Sequence, residues 1–280
     1  MNLFLHRNII PAIALAVSIP LTSTAQTTDV EDPSSVASGL RALEVADFDL
    51  AARSFRTAFE AGDPEGAFLL GRMLELGLGS PPNLDAAIGP YVVASESGSA
   101  AAKNRLGLLH MRGERVLQDY EVGAALICEA AELGDINGAF NCGRILLEGR
   151  GQEPDMQRAI DHVKFAADNG HIDAMNTLAR INLSDLGPDH NVEAAKQLFA
   201  QTAALGHPDG LHGLGELHAS GLLGQQDLVS AHQYFNLATA FGHPDAAQLR
   251  ATLEAAMSTS DILLAQQRAR EWQAQLSLED

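Results

Sequence analysis

The chain has 280 residues and a formal net charge of -18, with 36 acidic side chains against 18 Lys and Arg residues. Because its few cations form no cluster, the chain cannot neutralise a run of phosphates, and we expect it to bind no nucleic acid. Its two cysteines, Cys128 and Cys142, are far too few for a fold that depends on a disulfide framework.

Residues 1–25 have the pattern of a secretory signal peptide. One cation, Arg7, precedes an apolar run of about fourteen residues, which is shorter than the ~20 residues that span a membrane. Ser23 and Ala25 are small residues at the two positions that a signal peptidase reads. We therefore expect cleavage after Ala25, a periplasmic or secreted protein, and no transmembrane segment in the mature chain. Residues 26–32 are expected to form a flexible segment.

From residue 33 to residue 276 the sequence predicts one domain built from a 36-residue repeat. Glycines recur at this interval without insertion or deletion, at Gly62, Gly98, Gly134, Gly170, Gly206 and Gly242. Asn or Asp recurs at the same interval, at Asp47, Asn83, Asp119, Asp155, Asn191 and Asp227. Such self-similarity is typical of architectures in which each unit buries its apolar face against its neighbours.

These two sets of positions predict a pair of helices in every repeat. Each Asn or Asp is predicted to be the N-cap of a helix of about fourteen residues, and each glycine to end that helix in the left-handed conformation. A second helix follows at once, with Pro208 at its start in one repeat. In that turn, His207 joins the two helices, and Asp209 lies in the positively polarised first turn of the second one.

The repeats predict the following order of elements. We expect a leading hairpin at 33–61, then five repeats, then closing helices at 244–276, of which the last has Ser260 as its N-cap. The five repeats span 62–97, 98–133, 134–169, 170–205 and 206–241. The predicted fold is an all-α, right-handed α/α solenoid of stacked antiparallel helix pairs, with about fourteen helices.

The order of small, apolar and capping residues resembles that of the Sel1-like repeat family, relatives of the tetratricopeptide repeats. One unit carries Leu70–Gly71, Gly77, Gly79, Asn83 and Gly98 in the family's order. This resemblance implies an exported bacterial solenoid that binds a protein or peptide partner along its groove, in envelope signalling or assembly. Because the sequence has no nucleophile–base pattern and no phosphate-binding loop, we expect no enzymatic activity and no cofactor, and we expect a monomer.

We predict no catalytic, metal or cofactor-binding residues. His171, His207 and His243 recur with the repeat, so that adjacent copies lie two helices apart and cannot share one zinc ion. The Gly77 and Gly79 pair follows a helix rather than a strand, which excludes a dinucleotide site. The alternative function is an exported cell-wall-related enzyme or ligand-binding protein that takes a β-lactam or a peptidoglycan fragment.

Cys128 and Cys142 form the candidate disulfide. They flank Gly134 by six and eight residues, which places them at similar heights on the facing helices of one hairpin. Export would expose both thiols to oxidising conditions. However, Cys142 occupies a position where other repeats have leucine, and a buried free thiol packs well there. The sequence leaves both alternatives open.

Overall fold

The computed structural model describes residues 36–184 and 190–276. The predicted signal peptide (1–25), the segment 26–32 and residues 33–35 of the leading hairpin lie outside the described residues. The described part of the chain contains fourteen α-helices and no strand. None of these helices combines the length and the apolar character that crossing a membrane requires.

The helices belong to two compact units. Within the described residues, the first unit comprises residues 36–145 together with Gly149–Glu153, and the second comprises Leu146–Glu148 together with residues 154–184 and 190–276. The first unit contains α1 (Val36–Glu44), α2 (Phe48–Glu60), α3 (Pro64–Leu76), α4 (Leu84–Glu96), α5 (Ala100–Arg112), α6 (Tyr120–Glu132) and most of α7 (Ile136–Glu148). The second unit contains α8 (Met156–Asp168), α9 (Ile172–Leu183), α10 (Val192–Ala204), α11 (Pro208–Ser220), α12 (Leu228–Ala240), α13 (Ala246–Glu254) and α14 (Thr259–Leu276).

The six Asn and Asp residues that recur with the repeat are helix N-caps in the structure. Asp155 Oδ1, for example, accepts a hydrogen bond from the Arg158 backbone N–H at 3.1 Å. The side-chain oxygen of each residue satisfies one of the backbone N–H groups that a helix start leaves without a partner. The set comprises Asp47, Asn83, Asp119, Asp155, Asn191 and Asp227.

The six recurring glycines end these helices with a positive φ. Their φ values lie between 71° and 93° at Gly62, Gly98, Gly134, Gly170, Gly206 and Gly242. An added Cβ would meet nothing within 4 Å at five of them, the exception being Gly206. The backbone conformation, rather than a shortage of space, therefore requires glycine at those five turns.

The core of each unit is built from one large side chain per repeat. These residues, which are at most 2% exposed, are Phe55, Tyr91, Ile127, Val163, Phe199 and Phe235. A second glycine in the repeat lets the next helix approach: a Cβ on Gly71 would lie 2.6 Å from the Tyr91 ring, and a Cβ on Gly215 would lie 2.7 Å from the Phe235 ring. Burial of large apolar surface across such close helix pairs stabilises both units.

The start of the last helix differs from the prediction. The helix α14 begins at Thr259, and the Ser258 hydroxyl accepts a hydrogen bond from the Asp261 backbone N–H at 3.2 Å. The same hydroxyl donates to the Asp261 carboxylate at 2.7 Å. The prediction that Ser260 is the N-cap is therefore wrong. Ser258 takes this role because Asp261, three residues later, can bond back to it.

Candidate functional site

Two of the three turn histidines, His171 and His207, are helix N-caps of an unusual kind. The third, His243, precedes α13, whose N-cap is Asp245, and makes the same type of hydrogen bond in the turn. In each, the ring atom Nδ1 accepts a backbone N–H: from Ala174 to His171 at 3.2 Å, from Asp209 to His207 at 3.3 Å, and from Asp245 to His243 at 3.2 Å. A nitrogen that accepts a hydrogen bond carries no proton. The proton of the neutral ring is therefore on Nε2, which points away from the capped helix.

In the second unit, this second ring nitrogen faces an aspartate of the preceding repeat. His207 Nε2 lies 3.5 Å from Asp173 Oδ1, and His243 Nε2 lies 3.4 Å from Asp209 Oδ1. Both aspartates stand 34 residues before their histidine, so the same contact is made twice. Each of these two histidines thus accepts a backbone N–H of its own turn and contacts a carboxylate of the previous repeat.

A buried layer of polar side chains lies beneath these contacts. The Asn176 side chain donates its amide to His207 Nδ1 at 3.1 Å and accepts the Thr202 hydroxyl at 2.7 Å. One repeat later, the position of Asn176 is occupied by His212, whose ring stacks on His243 with centroids 3.9 Å apart. His207 and His243 therefore each contact a buried side chain from the second helix of the preceding repeat, Asn176 on α9 and His212 on α11.

Four charged side chains of α9 and α11 are exposed to solvent next to this buried polar layer. Asp173, Asp209, Glu216 and Arg180 are between 43% and 57% exposed. Arg180 and Glu216 lie 3.6 Å apart across the two helices. Partial burial raises the pKa of Glu216, but His212, Arg180 and His243 together outweigh burial, so that the pKa lies below its usual value. We call these four residues, together with His207, His212 and His243, the α9–α11 surface.

One group of side chains has the spacing of a metal site. The potential ligand atoms of Asp173, His207 and Asp209 lie within 4.8 Å of one another. Binding of a metal through His207 Nε2 would require the ring proton to move to Nδ1. At Nδ1, however, the proton would meet the Asp209 backbone N–H and the Asn176 amide. The hydrogen bonds at Nδ1 therefore favour a ring that keeps its proton on Nε2, facing Asp173, over one that binds a metal.

The first unit contains a charged cluster of a different kind. The Glu75 carboxylate accepts hydrogen bonds from the Tyr91 hydroxyl and from the guanidinium groups of Arg72 and Arg105. Partial burial raises the pKa of Glu75, but these three partners outweigh it, and the pKa lies below its usual value. Since this carboxylate is fully engaged by its own chain, the cluster stabilises the packing of α3, α4 and α5.

The candidate cysteines lie on the facing helices α6 and α7. The structure joins Cys128 and Cys142 in a disulfide with a Cα–Cα distance of 4.9 Å. Cys142 is fully buried and Cys128 is nearly so. The bridge therefore lies in the interior of its hairpin and has a structural role. Both cysteines lie on helices that precede α9 in the sequence, so the bridge is not part of the α9–α11 surface.

Sequence reasoning missed His171 and His207 as helix caps and missed the stacking of His212 on His243. A signal for the caps was present, because the residue after each turn glycine is Asp63, Ser99, Asp135, His171, His207 or His243, and the first three are ordinary cap residues. No comparable signal existed for the stack, since its two rings are 31 residues apart in sequence.

Acidification should destabilise the protein partly through His243. Burial lowers the pKa of His243 and His212 lowers it further, against the opposing effect of Asp209 and Asp245. The unfolded chain, in which a histidine titrates near ~6.5, therefore binds more protons as the pH falls through that value, and the free energy of unfolding decreases.

We expect the Tm of a His243→Asn variant, which keeps a side chain able to accept the Asp245 backbone N–H, to fall less than that of the unmodified chain between about pH 7.5 and about pH 5.5. A His190→Asn variant, altered at an exposed histidine, is the control and should follow the unmodified chain. Parallel pH profiles for all three proteins would contradict a role of His243 in this loss of stability.

A model of the Sel1 repeat family matches five segments of the chain: 64–89, 100–135, 136–171, 172–207 and 208–243. The chain belongs to the Sel1 repeat family. Each Sel1 repeat begins two residues after a turn glycine, at the first residue of the helix that the turn introduces. Proteins built from Sel1 repeats are typically non-enzymatic scaffolds for protein–protein interaction.

Two solved structures share the fold of this Sel1 repeat protein. A protective antigen of uropathogenic Escherichia coli strains that displays an SLR fold has a TM-score of 0.75 at 23% identity, and the match covers 87% of this chain and 55% of that one. This chain thus spans about half the length of that antigen. A Sel1 repeat protein from Oxalobacter formigenes has a TM-score of 0.72 at 18% identity, with 88% and 97% covered. The predicted all-α solenoid is confirmed. No curated protein matches the sequence.

Proposed function

We propose that this Sel1 repeat protein is an exported, non-enzymatic scaffold that binds a protein or peptide partner in envelope signalling or assembly. The observation that carries the proposal is the α9–α11 surface. Its charged groups are exposed, and Asp173 and Asp209 each lie within 3.5 Å of the Nε2 atom of a turn histidine. Fixed side chains on rigid helices pay little entropy on binding, which suits recognition of a partner.

Two features support the export part of the proposal. Residues 1–25 have the pattern of a cleaved signal peptide. A disulfide between Cys128 and Cys142 forms and persists in an oxidising compartment, such as the periplasm or the cell exterior, and is rare in the cytosol. Both features support a periplasmic or secreted location for the mature protein.

Export predicts a defined mature chain. When the full sequence is expressed in a Gram-negative host and the cells are fractionated, we expect the protein in the periplasm or the medium, with Gln26 as its first residue in intact-mass and N-terminal measurements. An Ala25→Tyr variant, which places a bulky residue at the cleavage position, should accumulate uncleaved. Full-length protein with an intact residue 1 in the cytosol would contradict export.

The scaffold part of the proposal is tested with the purified mature protein. We expect no turnover of β-lactams or peptidoglycan fragments, and a discrete protein captured from a periplasmic extract of the source cells. Binding of that protein should weaken when Asp173 and Asp209 are both replaced by asparagine. Turnover of a wall fragment that persists in highly purified samples would instead favour an enzyme.

A further inference from the structure

An open pocket in the first unit is lined by α3 and by the turn that leads into α5. Its volume is about 250 Å³. Phe68 and Leu69 supply apolar walls, Glu65 supplies a carboxylate, and Ser99 lines the pocket from the turn. Since an apolar cavity of about 150 Å³ holds a benzene molecule, this pocket has room for one aromatic side chain.

The second unit fills the equivalent space with a histidine of its own chain. His207 stands three repeats of 36 residues after Ser99, and Asp173 stands the same distance after Glu65. The Nε2 atom of His207 lies 3.5 Å from Asp173 Oδ1. In the first unit, the small Ser99 side chain provides no ring. Within the described residues, the Glu65 carboxylate accordingly has neither a hydrogen bond nor an ion pair.

The apolar wall of the pocket corresponds to a stacking surface in a later repeat. His243 stands four repeats after Ser99, and its ring stacks on His212, which stands four repeats after Phe68. The two histidine rings are nearly parallel, with centroids 3.9 Å apart. Phe68 is half-buried: its ring contacts the Tyr91 ring, and it also lines the pocket. A planar ring that enters the pocket can therefore stack on Phe68.

The carboxylate of the pocket favours a ring that carries an N–H group. Partial burial raises the pKa of Glu65, and the nearby Asp63 raises it further. Both effects disfavour the ionised carboxylate, and an N–H donor placed next to it opposes them. A phenyl ring could stack on Phe68 but would leave Glu65 without a donor. An imidazole ring meets both requirements.

We propose that this pocket binds the imidazole side chain of a histidine from a peptide segment of the partner. The ring stacks on Phe68, and its N–H group donates to the Glu65 carboxylate. The partner thus supplies the side chain that the chain itself supplies in its later repeats. This inference rests on the proposed scaffold function, and it adds a contact in the first unit to those of the α9–α11 surface.

The test measures binding of a capped pentapeptide, with one histidine among glycines, to the mature protein by NMR titration at about pH 7.5, where the histidine is mostly neutral. Peptides with phenylalanine or alanine in place of histidine are the ligand controls. A Ser99→His variant supplies the ring from the chain itself, because His171 and His207 cap helices at the same position of later repeats. Ser99→Thr, which keeps a capping hydroxyl and adds no ring, is the matched protein control.

We expect the histidine peptide to bind the unmodified protein and Ser99→Thr with equal affinity and to shift the amide signal of Gly98. Glu65→Gln should bind this peptide about fivefold more weakly. Ser99→His should not bind it, and its Tm should be no lower than that of the unmodified chain. The phenylalanine peptide should bind about fivefold more weakly than the histidine peptide, and the alanine peptide should not bind.

Three results would overturn the proposal. The histidine and alanine peptides could bind equally, the affinity could be unchanged in Glu65→Gln, or a folded Ser99→His variant could still bind the peptide. Equal binding of the phenylalanine peptide would overturn the assignment of an imidazole. If Ser99→His loses the peptide but captures a protein from a periplasmic extract as well as the unmodified chain does, the partner does not use this pocket, and the scaffold function stands.

Discussion

A Gly210→Ala variant is expected to unfold with a free energy about 2 kcal/mol lower than that of the unmodified chain. An added Cβ would lie 2.1 Å from Thr202 Oγ1, 2.7 Å from the Ala203 backbone nitrogen and 2.8 Å from the Phe199 carbonyl oxygen. Overpacking of this kind costs up to about 3 kcal/mol, and the better helix propensity of alanine returns about 1 kcal/mol. The comparison is made by urea unfolding of both proteins.

The repeat itself supplies the control for this variant. Where the equivalent of Gly210 is already alanine, as in Ala174, the facing residue is Ala166 rather than a threonine. A Thr202→Ala/Gly210→Ala double variant should therefore be more stable than the sum of the two single changes predicts, by about 1 kcal/mol. Strictly additive effects would show that the Thr202 hydroxyl is not the obstacle.

The Gly210 variant also links packing to the binding surface. The Thr202 hydroxyl donates to Asn176, and the Asn176 amide donates to His207. Because Thr202 is fully buried, its side chain can yield to a new methyl group only by disturbing this chain of hydrogen bonds. We therefore expect Gly210→Ala to weaken binding of the captured partner protein as well as to lower stability.

Reduction of the disulfide is expected to lower the free energy of unfolding by about 3 kcal/mol. Cys128 and Cys142 are 14 residues apart, and closing a loop of about 15 residues restricts the unfolded chain by roughly this amount. The measurement is urea unfolding of the mature protein with and without a reductant. Intact mass should rise by about 2 Da on reduction, since the reductant supplies two electrons and each sulfur ends with one more hydrogen atom.

A Cys128→Ala/Cys142→Ala variant is the control for this measurement. The urea midpoint of this variant should be the same with and without the reductant. Its free energy of unfolding should be at least as low as that of the reduced protein, because the variant also loses two buried sulfur atoms. If the unmodified protein keeps its mass and its unfolding midpoint in reductant, the two thiols are not bridged, and one support for export is lost.

The helix pairs could be predicted from the sequence because their signals are local and repeated. A turn glycine such as Gly134 and a cap such as Asp155 each act on the backbone within a few residues. Their recurrence at a fixed interval then separates real signals from chance ones. The start of α14 lacked this check, since it lies outside the repeats, and Ser258 and Ser260 are equally good cap residues.

The α9–α11 surface could not be predicted in the same way. Its contacts join residues that are 31 to 34 positions apart, as in Asn176 with His207 and Asp173 with His207. Such pairs depend on how far one helix pair is displaced along the next, which the sequence does not state. Once the structure gives one contact, however, the repeat predicts its copy, and the His243 contact with Asp209 is that copy.

The most direct test of the central claim is site-specific photo-cross-linking of the mature protein in intact cells, followed by mass spectrometry. A photoreactive amino acid in place of Glu216, on the α9–α11 surface, bonds only to groups in contact with it. We predict a covalent bond between this position and another protein, and its loss when Asp173 and Asp209 are both replaced by asparagine. Cross-links to a partner that avoid the α9–α11 surface, and persist in that double variant, would contradict the account.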